Sequence, residues 1–256
     1  MLIQFAKILE HARKTATPIE PITKECQNLT LQDAYAIQKI GIDLQKQEGK
    51  KIVGYKMGLT SKAKMEQMGL ATPIYGTLMG QTQLESGGLF TLKGSIHPKI
   101  EPELAFLIKN NLQWPVTKES VLDACEGVCA AMEIIDSRYI GFKYFGLPDV
   151  VADNSSSFAF VLSKKIADPK KLDLENLKVE IKINGALTHT GQSNAILGNP
   201  LNSILELCSI LNTQNLSILA ESVVLAGAVT QATPLEKGML VQASVESLGE
   251  VSININ

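Results

Sequence analysis

The segment His97-Pro98-Lys99-Ile100-Glu101-Pro102-Glu103-Leu104-Ala105-Phe106-Leu107-Ile108 reads as a β-strand carrying two glutamates where a buried strand would hold apolar residues. Side chains alternate across a strand. Ile100, Leu104, Phe106 and Ile108 therefore share one face, and Glu101, Glu103, Ala105 and Leu107 share the other. The two carboxylates stand roughly 6–7 Å apart at the backbone, and like charges that close repel unless water or a cation separates them. On spacing alone a solvated edge strand is the plainer account. A third carboxylate, Glu133, is the single charge in Gly127-Val128-Cys129-Ala130-Ala131-Met132-Glu133-Ile134-Ile135, a run that reads as a fully buried strand. An isolated carboxylate there is strongly unfavourable, so it needs either a cationic partner such as Arg138 or a metal ion.

Lys56 is the second anomaly. In Lys51-Ile52-Val53-Gly54-Tyr55-Lys56-Met57-Gly58-Leu59, Val53, Tyr55, Met57 and Leu59 form an apolar face, and Lys56 sits on the other between two glycines. Glycines there let a ligand or another backbone come close; a surface lysine on an edge strand is the alternative. Three glutamates with a lysine suggest a hard-cation site. All-oxygen ligation favours Mg²⁺ or Mn²⁺ over Zn²⁺, which recruits histidine or cysteine. His11, His97 and His189 have no ligand partner at useful spacing. A carboxylate-held cation keeps positions open for the carboxylate and keto oxygens of a 2-oxo acid and acts on them as a Lewis acid. Decarboxylation, hydration or tautomerisation of an unsaturated keto acid, and C–C hydrolysis, all use such an electron sink.

The elements that must position these groups follow from periodicity. Leu2, Phe5, Ala6, Leu9 and Ala12 predict an amphipathic helix. A second helix starts at Thr30, with Asp33 near its positive end and Ala34, Ile37, Gly41 and Leu44 as its inward stripe. Ser61 caps a short helix ending before Gly69, and Lys118 to Glu126 is helical. Asp136 to Ser157 predicts an irregular loop covering the site, although its three successive serines also suit a plain exposed loop. Asn184-Gly185 predicts a hairpin turn, and Asn199-Pro200 a helix start with Leu201, Ile204, Leu205, Cys208 and Leu211 facing the core. Helices early and strands late indicate α+β.

Composition narrows the class. Across 256 residues the chain is 45% hydrophobic and 20% charged with a net charge of -2, an ordinary globular balance with no electrostatic case for nucleic acid or an anionic membrane. No apolar run reaches the roughly 20 residues of a membrane span, and Met1-Leu2-Ile3-Gln4-Phe5 lacks a signal-peptide layout. Cys26, Cys125, Cys129 and Cys208 have neither metal-ligand nor disulfide-framework spacing, so a reducing cytoplasm is expected.

Several motifs carry a resemblance: Gly54-Tyr55-Lys56-Met57-Gly58-Leu59-Thr60-Ser61, Ala63-Lys64-Met65-Glu66-Gln67-Met68-Gly69 and Thr72-Pro73-Ile74-Tyr75-Gly76. His97 to Glu103, Glu133-Ile134-Ile135-Asp136-Ser137-Arg138-Tyr139 and Val151-Ala152-Asp153-Asn154-Ser155-Ser156-Ser157 complete it. Together they resemble the hydratase/decarboxylase family of the meta-cleavage pathway, within the fumarylacetoacetate hydrolase superfamily, over nearly the whole chain. The resemblance implies a β-rich mixed barrel or roll of the fumarylacetoacetase C-terminal-domain type. Residues 1–256 then form a single catalytic domain, with 1–50 as a helical N-terminal layer and 51–256 as the metal-binding core. It also implies Mg²⁺ (or Mn²⁺) held by Glu101, Glu103 and Glu133, with Lys56 catalytic.

That family contains two activities: hydration of 2-hydroxypenta-2,4-dienoate, and decarboxylation of 2-oxo-3-hexenedioate (4-oxalocrotonate) to that dienoate. Similar hydratases carry Pro-Asp-Tyr/Phe-Gly where Pro73-Ile74-Tyr75-Gly76 stands. An acid there could manage a proton or orient water, and Ile74 cannot. Asp136 to Tyr139, Phe142-Lys143 and Leu147 to Val151 also look decarboxylase-like, whereas Phe106-Leu107-Ile108-Lys109 is similar to both. Decarboxylation is therefore expected, with hydration or a non-catalytic role in a decarboxylase–hydratase complex as alternatives. Ile74 and Leu78 are expected to desolvate the departing carboxylate, and Asp153, Ser155 and Ser156 to position the dicarboxylic 2-oxo acid. A homo-oligomer and association with the hydratase are expected on the same resemblance.

Overall fold

A computed structural model describes residues 1–61, 65, 73–142 and 146–256. The helix expected between Ser61 and Gly69, and Lys143, lie outside the described residues. The chain opens with α1 (Leu2–Thr15), α2 (Ile22–Glu25) and α3 (Leu31–Gln47). Phe5, Ala6, Leu9 and Ala12 are the buried face of α1. Thr30 and Asp33 close a capping box at the start of α3, each side chain accepting from the other's backbone N–H at 3.1 Å.

The inward stripe of α3 is Ala34, Ile37, Gln38, Ile42 and Gln45, rather than one running through Gly41 and Leu44. Polar contacts turn the helix. The Gln38 amide donates to the carbonyls of Tyr75 (3.1 Å) and Val151 (3.0 Å), which draws a glutamine inward and rotates the apolar face.

Strands follow as β1 (Ile52–Gly58), β2 (Ile74–Met79), β3 (Gln83–Leu84), β4 (Leu89–Phe90), β5 (Lys99–Ile108) and β6 (Cys125–Ile135). The later ones are β7 (Ser157–Leu162), β8 (Lys178–Ile183), β9 (Ala186–Gln192), β10 (Val223–Ala228), β11 (Thr233–Pro234), β12 (Leu240–Val245) and β13 (Gly249–Ile255). Between them lie α4 (Lys118–Ala124), α5 (Leu147–Ala152) and α6 (Pro200–Thr213). One mixed sheet, curled as a half-barrel, runs β2-β1-β10-β5-β6-β7-β3, with β11 beside β5; a second runs β4-β13-β12-β8-β9. This is the α+β, β-rich architecture expected from the sequence.

The two faces of β5 and β6 have different destinations. Ile100, Leu104, Phe106 and Ile108 join Val128, Ala130, Met132 and Ile134 in a core shared with Val241, Ala243 and Ile253 of the second sheet. Leu201, Ile204, Cys208 and Leu211 of α6 seal that core, and Leu205 packs at its edge. The other face carries the glutamates above a small cluster that includes Leu78, Ala105, Cys129, Ala131 and Phe160. The helical layer packs through Phe5, Leu9, Ala34 and Ile37 in one cluster with Ile74, Tyr139, Val150 and Val151.

Two expectations need correction. The helix begun at Lys118 stops at Ala124, because Cys125 pairs with Ile108 and β6 starts there. The 136–157 segment contains α5, with Pro148 in its first turn, because Val150 and Val151 bury against the helical layer. The Asn184-Gly185 turn has the expected left-handed φ values of 51° and 81°. Among the described residues, no helix is long and apolar enough to cross a membrane.

Because Gln38 joins α3 to β2 and α5, Gln38→Ala should remove one of the donors to each of two buried carbonyls. Urea denaturation should show a loss of about 1–3 kcal/mol; a change within error would contradict the bridging role.

Candidate active site

In the β5–β6 ladder Glu101 stands opposite Glu133, and Glu103 opposite Ala131. One carboxylate oxygen from each of Glu101, Glu103 and Glu133 lies within 4.8 Å of the others. Relative exposures of 8%, 0% and 0% exclude the solvated edge strand, since β5 lies between β10 and β6. Lys56 is 3% exposed on β1, itself flanked by β2 and β10, so it is no edge lysine. Its Nζ lies 2.8 Å from Glu133 Oε2 and donates to the Ser155 carbonyl at 3.3 Å. The cationic partner of Glu133 is thus Lys56. Arg138 pairs instead with the buried Asp153 carboxylate.

The electrostatics reflect the burial of three carboxylates around the Lys56 ammonium. Burial, and then the charge of Glu133, push the Glu103 carboxyl well above its ordinary range. Burial raises Glu133 to about 7 against the pull of Lys56. Burial alone would lower Lys56, but Glu133, Glu103 and Glu101 together hold it above the usual lysine value. Glu103 Oε2 accepts from the Gly227 N–H at 2.9 Å, while its buried Oε1 has no hydrogen-bond partner among the described residues. An all-oxygen donor set with an orphaned, buried carboxylate oxygen fits a small hard divalent cation.

Glycines and a strained turn aim these groups. Gly54 has φ 154°, and an added Cβ would fall 1.8 Å from the Val223 carbonyl oxygen. Its role is the close approach of β10 rather than space for the ammonium. At Gly76 a Cβ would sit 2.5 Å from the Asn154 carbonyl oxygen and 3.1 Å from Lys56 Cδ, so that strand lies flat beneath the lysine stem. Gly227, at φ 121°, turns its N–H toward Glu103 where the β10–β5 register shifts.

Asn154, Ser155 and Ser156 all adopt left-handed backbone, with φ values of 50°, 51° and 59°, at roughly 1–2 kcal/mol per residue. Asn154 locks the turn by accepting from the Thr77 N–H (2.7 Å) and donating to the Thr77 carbonyl (2.9 Å). The Ser155 hydroxyl donates to the Tyr75 carbonyl at 2.7 Å, and the Asp136 N–H donates to the Ser156 carbonyl at 2.9 Å. The Asp136 carboxylate accepts from the Ile96 and His97 N–H groups, fixing the entry to β5.

A cavity of about 350 Å³ opens onto these groups. Lys56, Glu101, Ser155 and Ser156 line its polar part, and Leu59, Ile74 and Val150 an apolar part. Two expected substrate contacts lie elsewhere. Leu78 belongs to the apolar cluster farther along the same sheet face, outside the cavity lining, and the Asp153 carboxylate is taken by the Arg138 guanidinium and backbone N–H. The Asp153–Arg138 pair instead holds the turn that carries Ser155 and Ser156. Asn154, Gly76 and Gly227 escaped notice in the sequence. Asn is among the residues that tolerate left-handed backbone, which was the one available signal.

The fumarylacetoacetate (FAA) hydrolase C-terminal family model matches residues 63–256. A 4-oxalocrotonate decarboxylase from a Pseudomonas species is 39% identical over 226 residues, 88% of this chain and 87% of its own. A 2-hydroxyhexa-2,4-dienoate hydratase from Comamonas testosteroni is 33% identical over 248 residues, 96% of this chain and 94% of its own. The structure of 4-oxalocrotonate decarboxylase from Pseudomonas putida G7, complexed with magnesium and adipate, matches with a TM-score of 0.97 at 36% identity. That match covers 100% of this chain and 97% of the other.

Two outcomes follow from this geometry. Gly76→Ala should displace the Asn154 turn and Lys56 together, lowering kcat/KM by about 10²-fold with an unchanged circular dichroism spectrum; activity near wild type would contradict the packing. Raised carboxyl pKa values mean that protons occupy the empty site near neutrality and must leave when a cation binds. Mn²⁺ affinity should therefore weaken as pH falls through about 7. Calorimetry in buffers of different ionisation enthalpy should show net proton release, and a buffer-independent heat would contradict it.

Proposed function

The chain belongs to the fumarylacetoacetate hydrolase C-terminal family, and on that premise we propose that it decarboxylates 2-oxo-3-hexenedioate (4-oxalocrotonate) to 2-hydroxypenta-2,4-dienoate and CO₂. The observation that carries this is the burial of Glu101, Glu103, Glu133 and Lys56 beside a cavity wall where Ile74 supplies no acid. The higher identity to a 4-oxalocrotonate decarboxylase than to a hydratase supports the same choice. So does adipate in the matched magnesium complex, a saturated dicarboxylate with the carbon count of the proposed substrate.

Glu101, Glu103 and Glu133 would hold Mg²⁺ or Mn²⁺, which when bound supplies a Lewis acid for the 2-oxo group. The rest falls to the chain's own side chains. Leu59, Ile74 and Val150 exclude water from the C6 carboxylate, which favours its loss as neutral CO₂. As the C5–C6 bond breaks, its electron pair moves through the C3–C4 double bond to the C2 oxygen. The Lys56 ammonium, held by Glu133 and the Ser155 carbonyl, stabilises that charge and gives the oxygen a proton, leaving the enol product. Ser155 contributes its carbonyl, because its hydroxyl is committed to Tyr75, and Ser156 lines the substrate side of the turn.

Residues 1–256 act here as one catalytic domain, with the helical layer joined to the β-rich core through Gln38. Self-association and pairing with a hydratase belong to the same proposal, since such a hydratase would consume the product. The hydratase relative favours hydration as a second reading.

With Mg²⁺, ultraviolet absorbance and CO₂ release should follow loss of 2-oxo-3-hexenedioate. Consumption of 2-hydroxypenta-2,4-dienoate instead would establish the hydratase, and no turnover of either would support a non-catalytic subunit. Glu133→Gln and Lys56→Met should each lower kcat by at least about 10²-fold. Full activity in either variant would exclude that residue from the site.

A further inference from the structure

Lys99 is the second lysine lining the cavity, and the proposed decarboxylation gives it no role. It precedes Glu101 by two residues on β5 and so projects from the same sheet face as the carboxylates, roughly 6–7 Å along the strand. Its Nζ lies 4.2 Å from the centroid of the Phe142 ring, which also lines the cavity. Among the described residues it has no carboxylate or hydrogen-bond partner. An aromatic face holds an ammonium in place without neutralising it. Lys56, by contrast, is committed to Glu133 and the Ser155 carbonyl.

Given the proposed decarboxylation, on which this inference rests, the cavity must treat two carboxylates differently. The C6 carboxylate loses its charge in the transition state, so a cation holding it would stabilise the ground state and slow the reaction. The C1 carboxylate stays charged throughout and adjoins the C2 oxygen, toward which electrons move. Ile74 lies on β2, and β1 and β10 separate that strand from β5. The apolar and cationic parts of the lining are therefore spread across the sheet. We propose that Lys99 binds the C1 carboxylate of the 2-oxo acid and fixes the direction in which the substrate enters, leaving C6 to the Leu59, Ile74 and Val150 side.

Two unreactive probes test this by calorimetry on the Mg²⁺-loaded protein. 2-Oxohexanedioate lacks the C3–C4 double bond, and 2-oxohexanoate lacks the distal carboxylate as well. Lys99→Met should weaken both by the same factor, on the order of tenfold or more, and Lys99→Arg should restore most of the loss for both. Circular dichroism and Mn²⁺ affinity should be unchanged in the variants, since Lys99 is no part of the donor set. Loss confined to 2-oxohexanedioate would place Lys99 on the distal carboxylate and overturn the assignment, as would no loss for either probe. Wild-type protein that binds both probes but releases no CO₂ from 2-oxo-3-hexenedioate would overturn the reaction and leave Lys99 as a carboxylate anchor. Wild-type protein that binds neither would overturn both.

Discussion

Three carboxylates and the Lys56 ammonium are buried together on one sheet face, and the structure around them answers that burial. Lys56 can balance one carboxylate, and it balances Glu133. Burial pushes Glu103 and Glu133 upward, so protons occupy them unless a divalent cation takes their place. Burying unbalanced charge is unfavourable for a fold, so the cluster is kept for what it holds. A solvated pair of glutamates would need none of the surrounding machinery.

That machinery is largely backbone. The Gly227 N–H reaches Glu103 because β10 breaks register there. Gly76 lets the Lys56 stem and the Asn154 carbonyl meet above β2. Three consecutive left-handed residues put the Ser155 carbonyl onto the ammonium, and the side chains of Asn154 and Ser155 fasten the turn to β2. Arg138 and Asp153 anchor the turn from behind. The helical layer reaches the same place through Gln38, which holds the Tyr75 and Val151 carbonyls on either side of the turn. Local strain at Asn154 to Ser156 is thus opposed by contacts from two layers.

Much of this was legible in the sequence, and the limits have physical causes. Period-two alternation placed Glu101 and Glu103 on the face opposite Phe106, and the apolar run around Glu133 marked it as buried. Neither revealed that Glu133 would face Lys56 rather than Arg138, because strand order across the sheet is not a local property. The Thr30 cap and the Asn184-Gly185 turn are short-range signals and held to the residue. The inward stripe of α3 did not, since a buried glutamine satisfying distant carbonyls leaves no periodic trace. Leu78 was expected in the cavity as an apolar neighbour of Ile74, and Asp153 through its place beside the serines. How far along β2 the cavity reaches, and which side of the turn faces it, depends on packing that a linear motif does not encode.

Under the proposed function, Glu101, Glu103 and Glu133 together hold one divalent cation beside Lys56. Crystals grown with Mn²⁺ and measured above the manganese absorption edge test it most directly. One anomalous peak per chain is expected, bounded by oxygens of all three glutamates. Saturating Mn²⁺ with no peak there, or a peak held by other residues, would contradict it.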